Sequence, residues 1–137
     1  MPTTDLLAFG RDVLARQAFS VMIGAQLDVF EPGRAQLSVP LSPKLLQQDG
    51  FVHGGVLAYL ADNCLTYAGG SVLGKVLTSE FKINYIRPAR DADTLVAVAT
   101  VVGSGKTQAV CRCDIFLERG GERKVCAAAQ GTIRKAE

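Results

Sequence analysis

Residues 47–68 read QQDGFVHGGVLAYLADNCLTYA, and the fold turns on how this stretch is taken. From Gly54 to about Ala68 the chain is apolar almost all round and shows no period-two alternation. It closes on Gly69-Gly70, which reads as a helix stop. A helix with that composition needs burial on several sides. The chain before and after it must therefore supply the walls.

Those walls read as strands. Upstream, Ala25, Leu27 and Val29 alternate with Gln26, Asp28 and Phe30, and Ala35, Leu37, Val39 and Leu41 alternate with Arg34, Gln36, Ser38 and Pro40. The intervening EPGR puts Pro and Gly in turn positions, so the pair is a predicted β-hairpin. Downstream come four strand-like runs, LTSEFKINYI, TLVAVATVV, TQAVCRCDIFLE and KVCAAAQGTI, separated by RPARDAD, GSGK and RGGER. Short turns imply antiparallel neighbours, because parallel strands need long crossovers. TLVAVATVV is apolar on both faces and is expected at the centre of the sheet, its second face covered by the helix's surroundings or by another subunit. Residues 5–17 place Leu6, Leu7, Val13 and Leu14 on one side of a short N-terminal helix, despite Gly10. The predicted architecture is α+β: one curved antiparallel β-sheet wrapped around a central buried helix, a single domain over residues 1–137.

Composition narrows the function. The chain has 137 residues, 48% of them apolar and 20% charged, enough for one domain that buries about two thirds of its unfolded surface. Its formal net charge of +2 comes without a block of like charge, so no nucleic-acid footprint is present. The N-terminus MPTTDLLAFGRD carries Asp5 and lacks a basic run leading into an apolar one, unlike a secretory signal. No apolar stretch reaches the roughly 18 residues of a membrane span, and a cytoplasmic setting is expected. Cys64, Cys111, Cys113 and Cys126 then read as reduced thiols packed as small hydrophobes. Cys111 and Cys113 would share a strand face, but one His and dispersed cysteines are a poor set for a four-ligand zinc, so no metal is expected. GSGKT at 103–107 imitates a phosphate loop, yet Thr100 stands where the pattern needs its first glycine, and a strand follows instead of a helix.

The chemistry concentrates in the opening stretch. Asp62 sits in the apolar helix, where a carboxylate without partners is costly; it lies either on a narrow exposed edge or where a reaction needs it. His53, the only histidine, precedes Gly54 and Gly55 at the helix start. Glycines there form a plain turn, or they open the unpaired first amides, at the positive end of the helix dipole, to a developing oxyanion. Thr66 lies four residues after Asp62 on the same face, where its hydroxyl can hold the carboxylate or a water, or bond its own helix backbone.

Gln47, Gly50, His53, Gly54, Gly55 and Asp62, with the acid nine residues after the histidine, closely resemble the active-site segment of hotdog-fold acyl-CoA thioesterases of the phenylacetic-acid-degradation type. LTSEFKINYIRPA resembles the strand that follows the central helix in that family, and the likeness covers about residues 20–134. The resemblance implies a hotdog fold and hydrolysis of an acyl-CoA thioester, with no cofactor beyond the coenzyme A of the substrate. It implies Asp62 as general base or nucleophile and the Gly54 amide as oxyanion donor, with Gln47 and His53 orienting the site. Thr66 would help position the water or the carboxylate, with Thr78 or Ser79 as second candidates. Gly55 would border the substrate, and Arg87, Arg90 or Lys106 would meet the CoA phosphates. Tyr59, Phe51 and Tyr67 are candidates to line an aromatic-accepting pocket. It further implies a homo-oligomer, a dimer of dimers (homotetramer), whose sites lie between subunits. The alternative is a hotdog module that binds acyl-CoA without hydrolysing it.

Thioester hydrolysis suits so few groups. A thiol with a pKa near about 8.5 leaves readily, so an activated attack and an oxyanion site suffice. A Ser-His-Asp triad is not needed, and His53 is already committed to the motif.

Overall fold

The computed structural model describes residues 3–90 and 93–136. Asp91 and Ala92 of the expected 87–93 turn, and both ends of the 1–137 span, lie outside the described residues. One sheet of six antiparallel strands is built from β1 Gln26–Glu31, β2 Arg34–Pro40, β3 Val76–Tyr85, β4 Thr94–Ser104, β5 Gln108–Arg119 and β6 Glu122–Lys135. Their order across the sheet is β1-β2-β4-β5-β6-β3. The long helix α3, Gly54–Leu73, packs against all six strands. Leu60, Leu65, Leu37, Leu95, Ile115 and Ile133 are fully buried where helix and sheet meet.

Helix α3 buries residues around most of its circumference, from Val56 and Leu57 to Tyr67, Ala68 and Gly69, as its all-round apolar pattern requires. It runs past the stop expected at Gly69-Gly70. A Cβ at Gly69 would come within 2.7 Å of Ile133 on β6, so this glycine serves close packing of helix on sheet. The helix ends instead at Gly74, whose φ of 90° no bulky residue adopts easily.

The three hairpins β1–β2, β4–β5 and β5–β6 join neighbouring strands. The β3–β4 connection does not, which corrects the expectation drawn from its short length. β3 lies at one end of the sheet beside β6, and β4 lies between β2 and β5. The eight residues between them span up to about 26 Å when extended, against the roughly 14 Å across three strand spacings. β4 is central as expected, with Leu95, Val96 and Ala97 all buried.

Two local departures matter. In β1 the register shifts between Leu27 and Val29, and the buried residues are Leu27 and Phe30. The bulge resets the alternation, so Phe30 replaces the expected Val29 on the core face. At the N-terminus the expected 5–17 helix is α1, Thr3–Ala15, and a second helix absent from the expectation, α2 Ala18–Ile23, follows Gln17, whose backbone is extended. Helix α1 lies close on β1: a Cβ at Gly10 would reach within 2.5 Å of Phe30, and Tyr67 Oη donates to the Gly10 carbonyl at 2.8 Å. No helix among the described residues is long and apolar enough to cross a membrane.

Candidate active site

The start of α3 is organised by His53. Its backbone is extended, at φ −64° and ψ 132°, and its Nδ1 accepts a hydrogen bond from the Gly55 amide at 2.9 Å. The imidazole therefore acts as the N-cap, and Nδ1 carries no proton. A Cβ at Gly55 would lie 2.9 Å from Nδ1 and 3.2 Å from Cε1, so only glycine lets the ring fold back over its own helix. The Val56 amide bonds the His53 carbonyl at 2.9 Å. Among the described residues this leaves the Gly54 amide as the first helical N–H without a hydrogen-bond acceptor. A Cβ at Gly54 would stand 3.6 Å from the Tyr85 ring, ordinary contact, and Tyr85 Oη donates to the Gly54 carbonyl at 3.3 Å.

Gln47 shapes the approach to this cap. Its Oε1 accepts from the Asp49 amide at 2.5 Å and the Phe51 amide at 3.4 Å, closing a turn in which Gly50 has a φ of 86°. The chain then returns alongside Leu45, whose carbonyl takes the His53 amide at 2.9 Å. The segment after β3 braces the same loop: Val52 donates to the Ala89 carbonyl at 2.8 Å, and the Arg90 guanidinium lies 4.9 Å above the Phe51 ring. Asp93, buried, holds that segment by accepting from Arg119 Nε at 2.7 Å and the Arg90 amide at 2.9 Å.

Two turns along α3, Asp62 is half-buried. Its Oδ1 accepts from Thr78 Oγ1 at 2.5 Å. Thr66 Oγ1 lies 2.7 Å from the Asp62 backbone carbonyl and 2.9 Å from Thr78 Oγ1, so its one proton serves either its own helix or the Thr78 oxygen. Of the two β3 candidates, Thr78 reaches the carboxylate and Ser79 is exposed. A register shift between Thr78 and Glu80 explains why. Simple alternation would group Thr78 with Glu80, Lys82 and Asn84. The bulge moves Thr78 onto the helix side with Phe81 and Ile83, which are partly buried against the core.

Beside Asp62 lies a cleft of about 220 Å³ lined by Gln17, Phe19, Ser20, Tyr59, Asn63, Thr66 and Thr78. Sequence reasoning did not assemble its polar wall. Ser20 Oγ contacts Gln17 Oε1 at 2.7 Å and Tyr59 Oη at 2.5 Å, while Asn63 Nδ2 donates to Gln17 Oε1 at 3.0 Å and Tyr59 Oη at 3.1 Å. Burial raises the Tyr59 pKa, although bonds from Ser20 and Asn63 work against it, so the phenol stays protonated. The three aromatics considered for a pocket separate: Tyr59 borders this cleft with Phe19 at 5.2 Å, Tyr67 packs edge-on against Phe30, and Phe51 sits under Arg90.

Arg87 and Lys106 are both exposed and are not brought together. Arg87 follows the Tyr85 end of β3, whereas the Lys106 turn lies beside the opposite end, where Lys135 bonds Thr107 and Ala136 bonds Lys75. The ten-residue run of β3 separates those ends by roughly 30 Å. All four cysteines are buried free thiols. Burial pushes Cys111 and Cys126 up to about 11, which leaves them without thiolate character at neutral pH. No group of three or more His, Cys, Asp or Glu side chains among the described residues is placed to hold a metal ion.

The sequence profile of the thioesterase superfamily matches residues 49–124, the span from the Gln47 turn to β6. The acyl-coenzyme A thioesterase PaaI of Escherichia coli is 30% identical over 93 residues, covering 68% of this chain and 66% of that protein. Among solved structures, a thioesterase family protein from Silicibacter pomeroyi superposes with a TM-score of 0.85 at 35% identity, over 90% of this chain and 93% of that one. The E. coli PaaI protein of the phenylacetic acid degradation operon superposes with a TM-score of 0.89 at 24% identity, over 98% and 96% of the two chains.

Proposed function

The chain belongs to the thioesterase superfamily and has the hotdog fold, and from that premise we propose that it hydrolyses the thioester of an acyl-CoA at a site built on Asp62 and the Gly54 amide. One observation carries the assignment: the Asp62 carboxylate, the one charged side chain of α3, is held by Thr78 at the edge of a cleft. With Oδ1 committed to Thr78, Oδ2 is the oxygen that takes a proton from attacking water, or that itself attacks the carbonyl to give a mixed anhydride. The carbonyl oxygen gains charge as the new C–O bond forms, and the free Gly54 N–H at the positive helix end stabilises it. Collapse breaks the C–S bond and releases the CoA thiolate, and water completes the free acid. His53 fixes the cap that aims the amide, Gly55 makes room for that ring, and Gln47 holds the turn that delivers it.

Helix geometry supports a site shared by two chains. Gly54 and Asp62 are eight residues apart on one helix, about 12 Å along its axis, too far to act on one carbonyl. Gly54 lies beside Tyr85 and Asp62 beside Thr78, near the two ends of β3, and β3 is an end strand of the sheet. An end strand offers its free edge to another strand. A two-fold axis through the middle of that edge pairs β3 with its copy and brings Gly54 of one protomer to Asp62 of the other. The same axis brings Arg87 of one protomer and Lys106 of the other to flank one site, where they meet the CoA phosphates. The exposed Leu77, Tyr85 and Ile86 at the strand's ends are covered in that arrangement. A further pairing of dimers into a tetramer remains part of the proposal.

The test is thiol release from a panel of acyl-CoAs, combined with Asp62→Asn. Wild-type hydrolysis of at least one member is expected, with kcat lower by at least about a hundredfold in the variant at unchanged melting temperature. Normal turnover by Asp62→Asn would remove Asp62 from the mechanism.

A further inference from the structure

The cleft beside Asp62 is not the larger space at this end of the molecule. A second cavity of about 700 Å³ lies between α1 and α3, walled by Leu6, Phe9, Val13, Phe30, Tyr67 and Val76. The two spaces share Gln17, Asn63 and Thr66 as lining residues. At their junction Asn63 Nδ2 donates to Gln17 Oε1 at 3.0 Å, linking the turn before α2 to the middle of α3 across 46 positions of sequence. The glycines that let the helices border this space are specific. Gly10 holds α1 close to β1, and Gly70 presents only backbone to the cavity.

We infer that the α1–α3 cavity receives the far end of a long apolar acyl chain, and that the Gln17–Asn63 hydrogen bond is the gate between it and the Asp62 cleft. The inference rests on the thioesterase reading and names its substrate class. The 220 Å³ cleft suits a short chain or a single ring, since an apolar cavity of about 150 Å³ accommodates benzene. A longer chain has to pass Gln17 and Asn63, and beyond them it meets an apolar wall with room for several times that volume. Each methylene moved from water onto such a wall raises kcat/KM by roughly fourfold. Chain-length preference therefore reports directly on whether the cavity is used. Opening the gate costs the hydrogen bonds of Asn63 to Gln17 and Tyr59, which are regained by water or by each other when a short substrate is bound. Gln17 and Asn63 are thus specificity-determining residues, one at a helix break and one next in sequence to the catalytic acid.

The experiment measures kcat/KM by thiol release for straight-chain acyl-CoAs from acetyl to palmitoyl, in wild type and two kinds of variant. Val13→Trp and, independently, Val72→Trp fill the cavity from opposite helices; Val72 is 42% exposed, so the second tolerates a larger side chain without refolding of the core. Either is expected to lower the decanoyl-to-butyryl ratio of kcat/KM at least tenfold. Gln17→Ala opens the gate and is expected to raise the same ratio severalfold, a change of opposite sign that general damage to the fold would not produce. A wild type that hydrolyses butyryl-CoA but not decanoyl-CoA overturns the inference and leaves the thioesterase reading intact, as does a ratio unmoved by both tryptophans. A wild type inert toward the whole series overturns both.

Discussion

Thr78 and Asp62 lie on different elements, β3 and α3, and meet through a single 2.5 Å hydrogen bond that exists only because β3 is bulged at Ser79. Removing that donor while keeping the side-chain shape isolates its contribution. Thr78→Val is expected to lower kcat about 10- to 100-fold, since a hydrogen bond to a charged group is worth about 1.5–3 kcal/mol. Ser79→Ala, one residue on and exposed, is expected to stay within about twofold. Steady-state thiol release on the two variants decides the matter, and equal effects would mean that the carboxylate is not positioned by Thr78.

The two glycines of the cap differ in what they tolerate. Gly55→Ala places a methyl 2.9 Å from His53 Nδ1, displaces the ring and loses the cap, a cost of about 1 kcal/mol. Gly54→Ala meets only the Tyr85 ring at 3.6 Å and gains helix propensity. Urea unfolding is expected to rank Gly55→Ala below wild type and Gly54→Ala at or above it.

Inside α3 a similar pair has opposite signs. Gly69→Ala drives a methyl to 2.7 Å from Ile133, an overpacking change of about 1–3 kcal/mol. Gly70→Ala meets Val76 at 3.5 Å, ordinary contact, and is expected to stabilise by about 0.5–1 kcal/mol through helix propensity. Thermal denaturation should show Tm falling in the first and rising in the second.

Stability should also fall at alkaline pH. Burial raises the Cys111 and Cys126 thiols from an ordinary value of 9.0 to about 11, so between those values the unfolded chain releases protons that the folded chain keeps. Their contribution is fully present below pH 9 and is lost as pH rises through 11. Each thiol contributes a slope of up to about 1.4 kcal/mol per pH unit in that window. Urea midpoints between pH 8 and 11 measure it, and Cys126→Ala should make the decline shallower.

Much of this was legible because it rests on periodicity. The all-round apolar run of α3, the alternation of β2 and β5 and the two-faced apolar run of β4 follow from local pattern, and Asp62 announced itself as the one charged residue of α3. What escaped the pattern were changes of register and long-range pairings. The bulges at Asp28 and Ser79 shift which residues face the core without altering composition. Gly69-Gly70 looked like punctuation because a glycine needed for close packing has no different sequence signature from one that ends a helix. The β3–β4 crossing depends on sheet order, which short turns do not encode. Gln17, Ser20 and Asn63 form one wall only after α1 and α2 fold back on α3, and nothing local links positions 46 residues apart.

The interval from Gly54 to Asp62 is rigid, because both ends of it belong to one continuous helix. Helix α3 therefore acts as a ruler: it sets both the separation of amide and carboxylate and their relative phase about the axis. A single residue inserted between Gly55 and Ala61 would advance Asp62 by about 100° and swing its carboxylate away from Thr78, however conservative the inserted side chain. Many apolar residues would serve as the marks on such a ruler, but their number is fixed.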